Sequence, residues 1–402
     1  MANTKVIVIP EGKICDYVDG KFRNDTPEEY VRQTIEKRLV NEHKYLPTIG
    51  KVSFVSDTMD NLIFSHDLLR INCNNPSDAG YVYAYLKSKV GNKILLTNSY
   101  GAVITHIEPE HLASVPIPDA PDVLKLKIGT LVIQSYNLRD ESNLLINEAT
   151  KLLIDELQLP AIEDFNVDYF KKDASVDTFG VKLSDMRYRL DASYHVPIVD
   201  AIVDHLEQYA EEVTSIGDQR ISKAVMLPGR FKRVYVDEGY GYVLFGGKQI
   251  HTLDPSGDKY LSKSKHDERI SKELLIEENT TLITRSGTIG KVAIVPKHWA
   301  NWIASEHIIR VVPASQDVAG YNYIFLLSDY GRTLIQRYTY GAVVDEIDNS
   351  HVSDIPIPLL KNHDVQKRIN DLALEANKKR YEAYKLEQKA LEIMDKEVIY
   401  AK

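Results

Sequence analysis

Apolar positions recur every 3.5 residues along two long stretches of the chain. In the first stretch, apolar and small residues alternate at spacings of four and three from Leu124 to Leu152, and the same spacing runs from Val365 to Ile393 in the second. This period is typical of a coiled-coil seam, and helices of about 35 residues would be roughly 50 Å long. We therefore predict two long helices, Leu124–Leu157 and Val365–Val398, that pack antiparallel on each other. Two separate amphipathic helices on globular cores are the alternative.

Shorter patterns predict an α+β fold with recognisable strands and helices. Runs of β-branched or alternating residues predict strands at Lys51–Val55, Tyr242–Phe245, Thr280–Thr284, Lys291–Val295 and Ile308–Val312. Helical stretches are predicted at Ala79–Val90, Val196–Val213 and Ala319–Arg337. Near the start, Thr26, Pro27 and Glu29 form a capping box that predicts one helix at Pro27–Lys44.

The sequence contains an internal repeat with an offset of 240 residues. Residues 48–118 align with residues 288–358 without a gap, and 26 of the 71 positions are identical. The shared segments include TIGKV at Thr48 and Thr288, YGAV at Tyr100 and Tyr340, and PIP at 116 and 356. With one inserted residue the correspondence continues into the predicted helices, where small residues match at 135/376, 142/383 and 149/390. This pattern indicates a duplication.

The repeat divides the chain into predicted domains. We predict an N-terminal segment with one helix at 1–46, a partial domain at 47–120, a first long helix at 121–158, a complete domain at 176–360 and a second long helix at 361–400. The first copy is partial because roughly 108 residues that precede the repeat in the second copy are replaced by 47 residues in the first.

Charge and cysteine content narrow the possible functions. The net charge of −9 argues mildly against nucleic acid as a partner, but residues 220–310 carry 15 Lys or Arg against 10 Asp or Glu. Two cysteines without a CxxC pattern argue against a zinc site or a disulfide framework, which fits a cytoplasmic location. No membrane segment and no cofactor are predicted.

Catalytic motifs are missing from the sequence. Neither Gly247-Lys248 nor Gly290-Lys291 completes a phosphate-binding GxxxxGK[ST] motif, and no GxSxG, HExxH or Asn/Asp-Pro-Pro-aromatic motif occurs. The acidic pair Asp345-Glu346 is interpreted as a solvated turn. We therefore predict that the protein has no catalytic activity of its own.

Four segments resemble the specificity subunits of type I restriction–modification systems. They are RLDASYHVP at Arg189–Pro197, ITRSGTIGKVAIV at Ile283–Val295, the SEH…R segment at Ser305–Arg310, and YGAVVDEIDNSHVSDIPIPLL at Tyr340–Leu360, which precedes a long helix. The resemblance covers about residues 48–402. It implies target-recognition domains of mixed α/β type that each read half of a split double-stranded DNA site, joined by two antiparallel coiled-coil helices. It also implies docking on methyltransferase and restriction subunits, which would carry the catalysis.

The basic part of the complete domain supplies the candidate DNA contacts. A surface that reads DNA combines cations for phosphates with polar side chains for base edges. The segment LPGRFKRVY places three cations beside a Pro-Gly turn, and the glycines of the GTIGK turn would let backbone amides approach a phosphate. This turn could equally serve the fold alone. The predicted DNA-binding residues are Arg230, Lys232, Arg233, Lys248, Lys263, Arg285, Ser286, Thr288 and Lys291.

Two departures from the family pattern leave alternatives open. Residues 1–46 resemble instead the N-terminus of a restriction or modification subunit, although the carboxylates and ExK motif of a nuclease are absent. With its first recognition domain incomplete, the chain could be an interaction scaffold that binds restriction–modification subunits without reading DNA. A fragment of a fused methyltransferase–nuclease is a third possibility, disfavoured by the missing motifs.

Overall fold

The structure is a computed structural model that describes most of the chain in two compact units. The described residues are 13–15, 22–24, 50–59, 62–64, 68–97, 107–165, 178–186, 188–256, 259–341 and 344–401. The first unit contains the described residues up to Asn143 together with those from Lys379 onward, and the second contains Leu144–Lys378. The helix predicted at Pro27–Lys44 lies outside the described residues. The domain boundaries predicted from the sequence stay a prediction.

The first unit is mainly helical where it is described. Its elements are the antiparallel pair β1 (Lys13–Cys15) and β2 (Phe22–Asn24), the helices α1 (Pro76–Lys87), α2 (Lys89–Thr97) and α3 (Pro109–Ala113), the start of α4 (Asp122–Glu156) and the end of α10 (His363–Ile393). A π-helical turn at Met394–Ile399 follows α10. Tyr81, Leu86, Ile128, Val132 and Met394 form the centre of its core.

The second unit combines sheets with helices. Its strands are β3 (Glu212–Ser215), β4 (Ser222–Met226), β5 (Tyr235–Val236), β6 (Gly241–Phe245), β7 (Tyr260–Ser262), β8 (Thr281–Thr284), β9 (Val292–Ile294), β10 (Ile303–Ala304), β11 (Ile308–Pro313) and β12 (Pro356–Leu359). They form sheets ordered β4-β11-β8-β9, β10-β6-β7-β5 and β12-β3. The helices are α5 (Pro197–Tyr209), α6 (Lys263–Arg269), α7 (Gln316–Leu327), α8 (Asp329–Arg337) and α9 (Asn349–Ser353), together with the parts of α4 and α10 in this unit.

Most predicted elements of the second unit are present, with two corrections: one predicted helix is shorter and another is two helices. The strands at Tyr242–Phe245, Thr280–Thr284, Lys291–Val295 and Ile308–Val312 correspond to β6, β8, β9 and β11. The helix predicted at Val196–Val213 ends at Tyr209, because Ala210 is extended and Glu212 begins β3, which pairs with β12. The helix predicted at Ala319–Arg337 breaks at Ser328, whose extended backbone and side chain cap α8.

The strand predicted at Lys51–Val55 is wrong. Residues 51–56 form no regular secondary structure, although Val52 and Phe54 pack against the core of the first unit. A strand needs a hydrogen-bonded neighbour. The equivalent strand of the second copy, β9, has that neighbour in β8.

Equivalent residues of the two sequence copies make the same contacts within their own units. The Tyr81 hydroxyl donates to the Pro118 carbonyl at 2.9 Å, and the Tyr321 hydroxyl donates to the Pro358 carbonyl at 2.7 Å. Ser88 and Ser328 each donate to the carbonyl three residues earlier and accept from the amide three residues later.

Small residues hold α1 and α7 close to the long helices. A Cβ on Gly80 would lie 2.7 Å from the Gly129 carbonyl oxygen of α4, and one on Gly320 would lie 2.3 Å from the Asn370 carbonyl oxygen of α10. These distances leave no room for a side chain, so the backbones themselves are in contact. The two glycines are separated by 240 residues.

The predicted helical stretches at Leu124–Leu157 and Val365–Val398 correspond to α4 and to α10 with its π-helical turn. Inside the first unit, the Ser135 hydroxyl donates to the Ala383 carbonyl at 2.8 Å, and Lys379 pairs with Glu141 at 2.6 Å. Inside the second unit, Arg368 pairs with Glu148 at 3.0 Å. The small seam residues are fully buried: Ser135, Ser142, Ala149, Ala376, Ala383 and Ala390.

Candidate nucleic-acid interface

The predicted basic segment lies in the second unit, between α6 and the loops that follow β10 and α8. The Arg269 guanidinium of α6 donates to the Gly229 carbonyl at 2.6 Å, and the Val234 amide donates to the His266 ring at 3.1 Å. Phe231 is stacked edge-on against His266, with Arg269 over its ring. These contacts fix the backbone of the segment and leave the Lys232 side chain exposed.

The arginines of this segment are paired with carboxylates from distant parts of the chain. Arg230 pairs with Glu346 at 2.8 Å, although its side chain is 68% exposed. Arg233 pairs with Glu306 and also donates to the Tyr235 hydroxyl at 3.1 Å. Both carboxylates are shielded from solvent, so each keeps an arginine as its counter-charge.

Glu346 joins two predicted site residues, since its second oxygen pairs with Arg285. The Arg285 side chain is only 10% exposed. Its amide donates to the His307 carbonyl at 3.0 Å, and its own carbonyl accepts from the Ile347 amide at 2.9 Å. The interpretation of Asp345-Glu346 as a solvated turn is therefore wrong for Glu346. Its side chain turns inward because two guanidinium groups converge on it.

A small polar cluster adjoins Arg285. The Ser286 hydroxyl lies 2.9 Å from Nδ1 of His307, whose Nε2 lies 3.9 Å from the Glu306 carboxylate. Sequence reasoning did not assign Glu306, His307 or Glu346 to the site. The SEH segment at Ser305 was the available signal, since it contains Glu306 and His307. It was used only for the family resemblance, and the pairing of these side chains with Arg233 and Ser286 was not predicted.

The remaining predicted cations differ in their surroundings. Lys248 lies on the turn after β6 and is exposed, and Lys263 is exposed with its ammonium 5.5 Å from the centre of the Tyr242 ring. Lys291 is half-buried, and burial together with the nearby Arg332 charge lowers its pKa. Lysines that reach solvent are free to approach phosphates, whereas Lys291 is held inside the loop.

The GTIGK turn is tied to its own strand. The Thr284 hydroxyl donates to the Thr288 carbonyl at 2.5 Å and accepts from the Lys291 amide at 3.0 Å. Gly287 and Gly290 have φ values of +76° and +79°, which favour glycine. The turn therefore serves the β8–β9 hairpin, while the Thr288 side chain remains exposed.

The structure thus brings Arg230, Arg233, Arg285 and Ser286 together around two carboxylates, with exposed lysines on neighbouring segments. Among the described residues, no cluster of His, Cys, Asp or Glu could hold a metal ion. Within the same residues, no helix combines the length and apolar character needed to cross a membrane.

Part of this region is similar to a known protein family. Residues 247–373 match the family model described as "Type I restriction modification DNA specificity domain". No curated protein sequence matches the chain.

Among solved structures, similarity is found to a type I restriction–modification S subunit from M. genitalium, with 14% identity over 81% of this chain and 73% of that chain, and a TM-score of 0.34. Another match is the HsdS subunit from Thermoanaerobacter tengcongensis, with 14% identity over 78% of this chain and 69% of that chain, and a TM-score of 0.29. A third, from a study of complex assembly and conformational transition of the type I R-M system, has 11% identity over 78% and 69% of the two chains and a TM-score of 0.32. The resemblance to type I specificity subunits that the sequence predicts is confirmed by the family match at residues 247–373.

Proposed function

We propose that the chain is the non-catalytic, sequence-specific DNA-recognition subunit of a type I restriction–modification complex. The observation that carries this proposal is the match of residues 247–373 to the specificity-domain family. In this proposal the complete domain at 176–360 binds double-stranded DNA. Methyltransferase and restriction subunits supply the catalysis.

Two architectural parts of the proposal concern the repeat and the long helices. The matched hydrogen bonds of Tyr81 and Tyr321 support a duplicated recognition unit. The buried small residues and the Ser135–Ala383 hydrogen bond support an antiparallel coiled-coil spacer formed by α4 and α10. We infer that partner subunits dock on this spacer.

Within the interface, we assign different roles to lysines and arginines. The exposed Lys232, Lys248 and Lys263 are the proposed phosphate contacts. Arg230, Arg233 and Arg285 already neutralise Glu346 and Glu306, so their first role is to fix the loops that present the surface. Ser286 and Thr288 are the proposed polar groups next to the bases or phosphates.

Salt-dependent DNA binding by the assembled complex tests this assignment. The slope of log affinity against log salt is negative, and each of the single variants K232A, K248A and K263A is expected to make it shallower by about one unit. The reason is that each variant removes one phosphate contact. The matched control is K272A, since Lys272 is already paired with Glu268 at 2.8 Å. The triple variant R230A/K232A/R233A is expected to weaken binding to all sequences.

A scaffold that binds partner subunits without reading DNA is the second candidate. The pairing of three predicted DNA-binding arginines with carboxylates and the net charge of −9 favour it. Co-purification with the partner subunits, together with unchanged affinity and salt slope in every lysine variant, would establish the scaffold. Sequence-specific adenine methylation that is lost with the lysine variants would establish the DNA reader.

A further inference from the structure

The first unit exposes five apolar residues whose repeat equivalents are buried. Val55, Ile63, Leu69, Ile71 and Ile117 are 49%, 65%, 37%, 44% and 41% exposed. We call these residues the open face. Their equivalents at an offset of 240 are 1% exposed or less: Val295, Ile303, Ile309, Val311 and Ile357. Equivalent apolar positions are thus core positions in one copy and surface positions in the other.

In the second copy, most of these equivalents lie on strands that have hydrogen-bonded neighbours in a sheet. β11 lies between β4 and β8, β10 runs parallel to β6, and β12 pairs with β3. The four neighbouring strands β3, β4, β6 and β8 all lie within residues 212–284, which precede the repeat. This is the part of the recognition unit that the shorter first copy replaces with unrelated sequence.

A polar residue shows the same difference between the copies. Arg310 is 1% exposed and donates to the Ala304 carbonyl at 2.6 Å, and more weakly to Leu274. Its equivalent Arg70 is exposed. In the described part of the first unit, residues 50–59, 62–64 and 68–75 form no strand. Within residues 50–59, 62–64 and 68–75, the first copy therefore keeps the apolar positions of the sheet but shows no strand pairing.

We propose that the open face is a docking surface for a second polypeptide that adds β-strands to residues 52–54 and 68–73. The inserted strand would occupy the place that β8, with the sequence TLIT, holds between β9 and β11. Its main chain would supply the ladder hydrogen bonds. Its apolar side chains would cover Val55, Leu69 and Ile71, because in β8 Leu282 packs in the cluster of Val295 and Ile283 in the cluster of Ile309 and Val311. The partner is thus a protein that carries the first half of a recognition domain. This inference rests on the proposed repeat and not on DNA binding by the complete domain.

A strand peptide tests the surface on the full-length chain. The probe is a peptide with the sequence of residues 278–287, ENTTLITRSG, which contains β8. At saturating peptide, amide hydrogen exchange in residues 68–73 is expected to slow about tenfold or more, because paired amides exchange only when the ladder opens. A control peptide carrying L282K and I283K is expected to have no effect.

Two variants of the full-length chain distinguish peptide binding at the open face from non-specific binding to other exposed apolar residues. Ile71→Asp places a charge on the open face and is expected to abolish the protection. Leu126→Asp is the matched control, because Leu126 is a 56% exposed apolar residue on α4. Protection that survives Ile71→Asp, or no protection with any peptide, would overturn the proposal.

Other occupants give different results in the same experiments. Residues 68–73 that are already protected without peptide, and lose this protection when residues 1–47 are deleted, would show that the chain covers its own face. A dimer by light scattering that Ile71→Asp dissociates would show that a second copy covers it. Either result overturns docking of a different protein.

A chimera separates failure of this inference from failure of the repeat. Residues 178–287 are placed directly before Thr48, so that the first copy receives the preceding half of the second. If the chimera protects residues 68–73 while the peptide does not, the repeat holds but the open face is no docking site. If the chimera gives no protection either, the two copies are not equivalent and the proposed repeat fails.

Discussion

Two regions of this protein share a sequence pattern and differ in their surroundings. In both copies a tyrosine hydroxyl meets the PIP carbonyl and a serine caps the following helix. In the second copy the five equivalents of the open face are buried, whereas in the first copy those positions are exposed. The helical half of the first copy keeps these contacts although its residues 50–59, 62–64 and 68–75 form no strand, because the hydrogen bonds are local to the repeat. The sheet depends on residues outside the repeat.

The largest expected effect concerns an ionic cluster found in the first unit. Buried Glu387 pairs with Arg139 at 2.9 Å and Lys87 at 2.7 Å and accepts from the Tyr83 hydroxyl. Its match in the first copy, 241 residues earlier, is Ile146. Glu387→Ala is expected to destabilise the first unit by about 3 kcal/mol, because it removes the buried carboxylate that the partly exposed Arg139 and Lys87 neutralise. Hydrogen exchange resolved by unit measures the loss, and Ile146→Ala serves as the comparison.

The effect of Glu387→Ala should depend on pH. Burial opposes ionisation of Glu387, but the charges of Arg139 and Lys87 outweigh it and hold its pKa well below the usual range. A lowered pKa means that the stabilisation is complete above the pKa of an unfolded glutamate, about 4.5, and is lost as the pH falls below it. The difference in free energy of unfolding between Glu387→Ala and the original chain should therefore become smaller as the pH falls from 6 to 3. A constant difference would contradict a charged Glu387.

An intermediate effect is expected for Arg310, which is buried in the second copy, whereas its equivalent Arg70 is exposed in the first. Burial lowers the pKa of Arg310 to about 10, and its guanidinium holds the carbonyls that precede β11. Arg310→Ala is expected to cost the second unit about 2–3 kcal/mol, because carbonyl acceptors lose their donor and a cavity forms. Arg70→Ala should stay within about 0.5 kcal/mol, since Arg70 is exposed. Hydrogen exchange in each unit, measured during chemical denaturation, compares the free energies of unfolding of the two variants. Equal losses for Arg310→Ala and Arg70→Ala would contradict the difference in burial.

The smallest effect tests what the copies share. Tyr321→Phe and Tyr81→Phe each remove one hydrogen bond to the PIP carbonyl, so both are expected to cost about 1 kcal/mol. Tyr321 is fully buried and Tyr81 is 3% exposed, so the cost should be slightly larger for Tyr321. Thermal unfolding of the two variants measures it. A neutral Tyr81→Phe beside a costly Tyr321→Phe would show that the copies have diverged even in this contact.

The sequence allowed the long helices α4 and α10, the helix α5 and the strands β6, β8, β9 and β11 to be predicted, because their periodicity is local. The shorter elements, such as β5, β10 and α9, have too few residues to show a period. The same reasoning failed at Lys51–Val55, where the TIGKV pattern of β9 recurs without forming a strand. Strand formation depends on a neighbour that the local pattern does not contain.

The candidate site shows a second limit of the same kind. Its basic residues could be chosen by charge, but the partner of Arg230 lies 116 residues away and that of Arg285 lies 61 residues away. Only the folded chain brings these groups to Glu346. The role of each arginine therefore could not be read from its charge alone.

The glycine contacts at Gly80 and Gly320 have a consequence for how such a protein can vary. At these two points the helix of each unit meets a long helix backbone to backbone, so the approach is set by the main chain and not by the size of neighbouring side chains. At each of these two attachments the fold therefore depends on a residue that has no side chain, because any larger residue would have to move one helix away from the other.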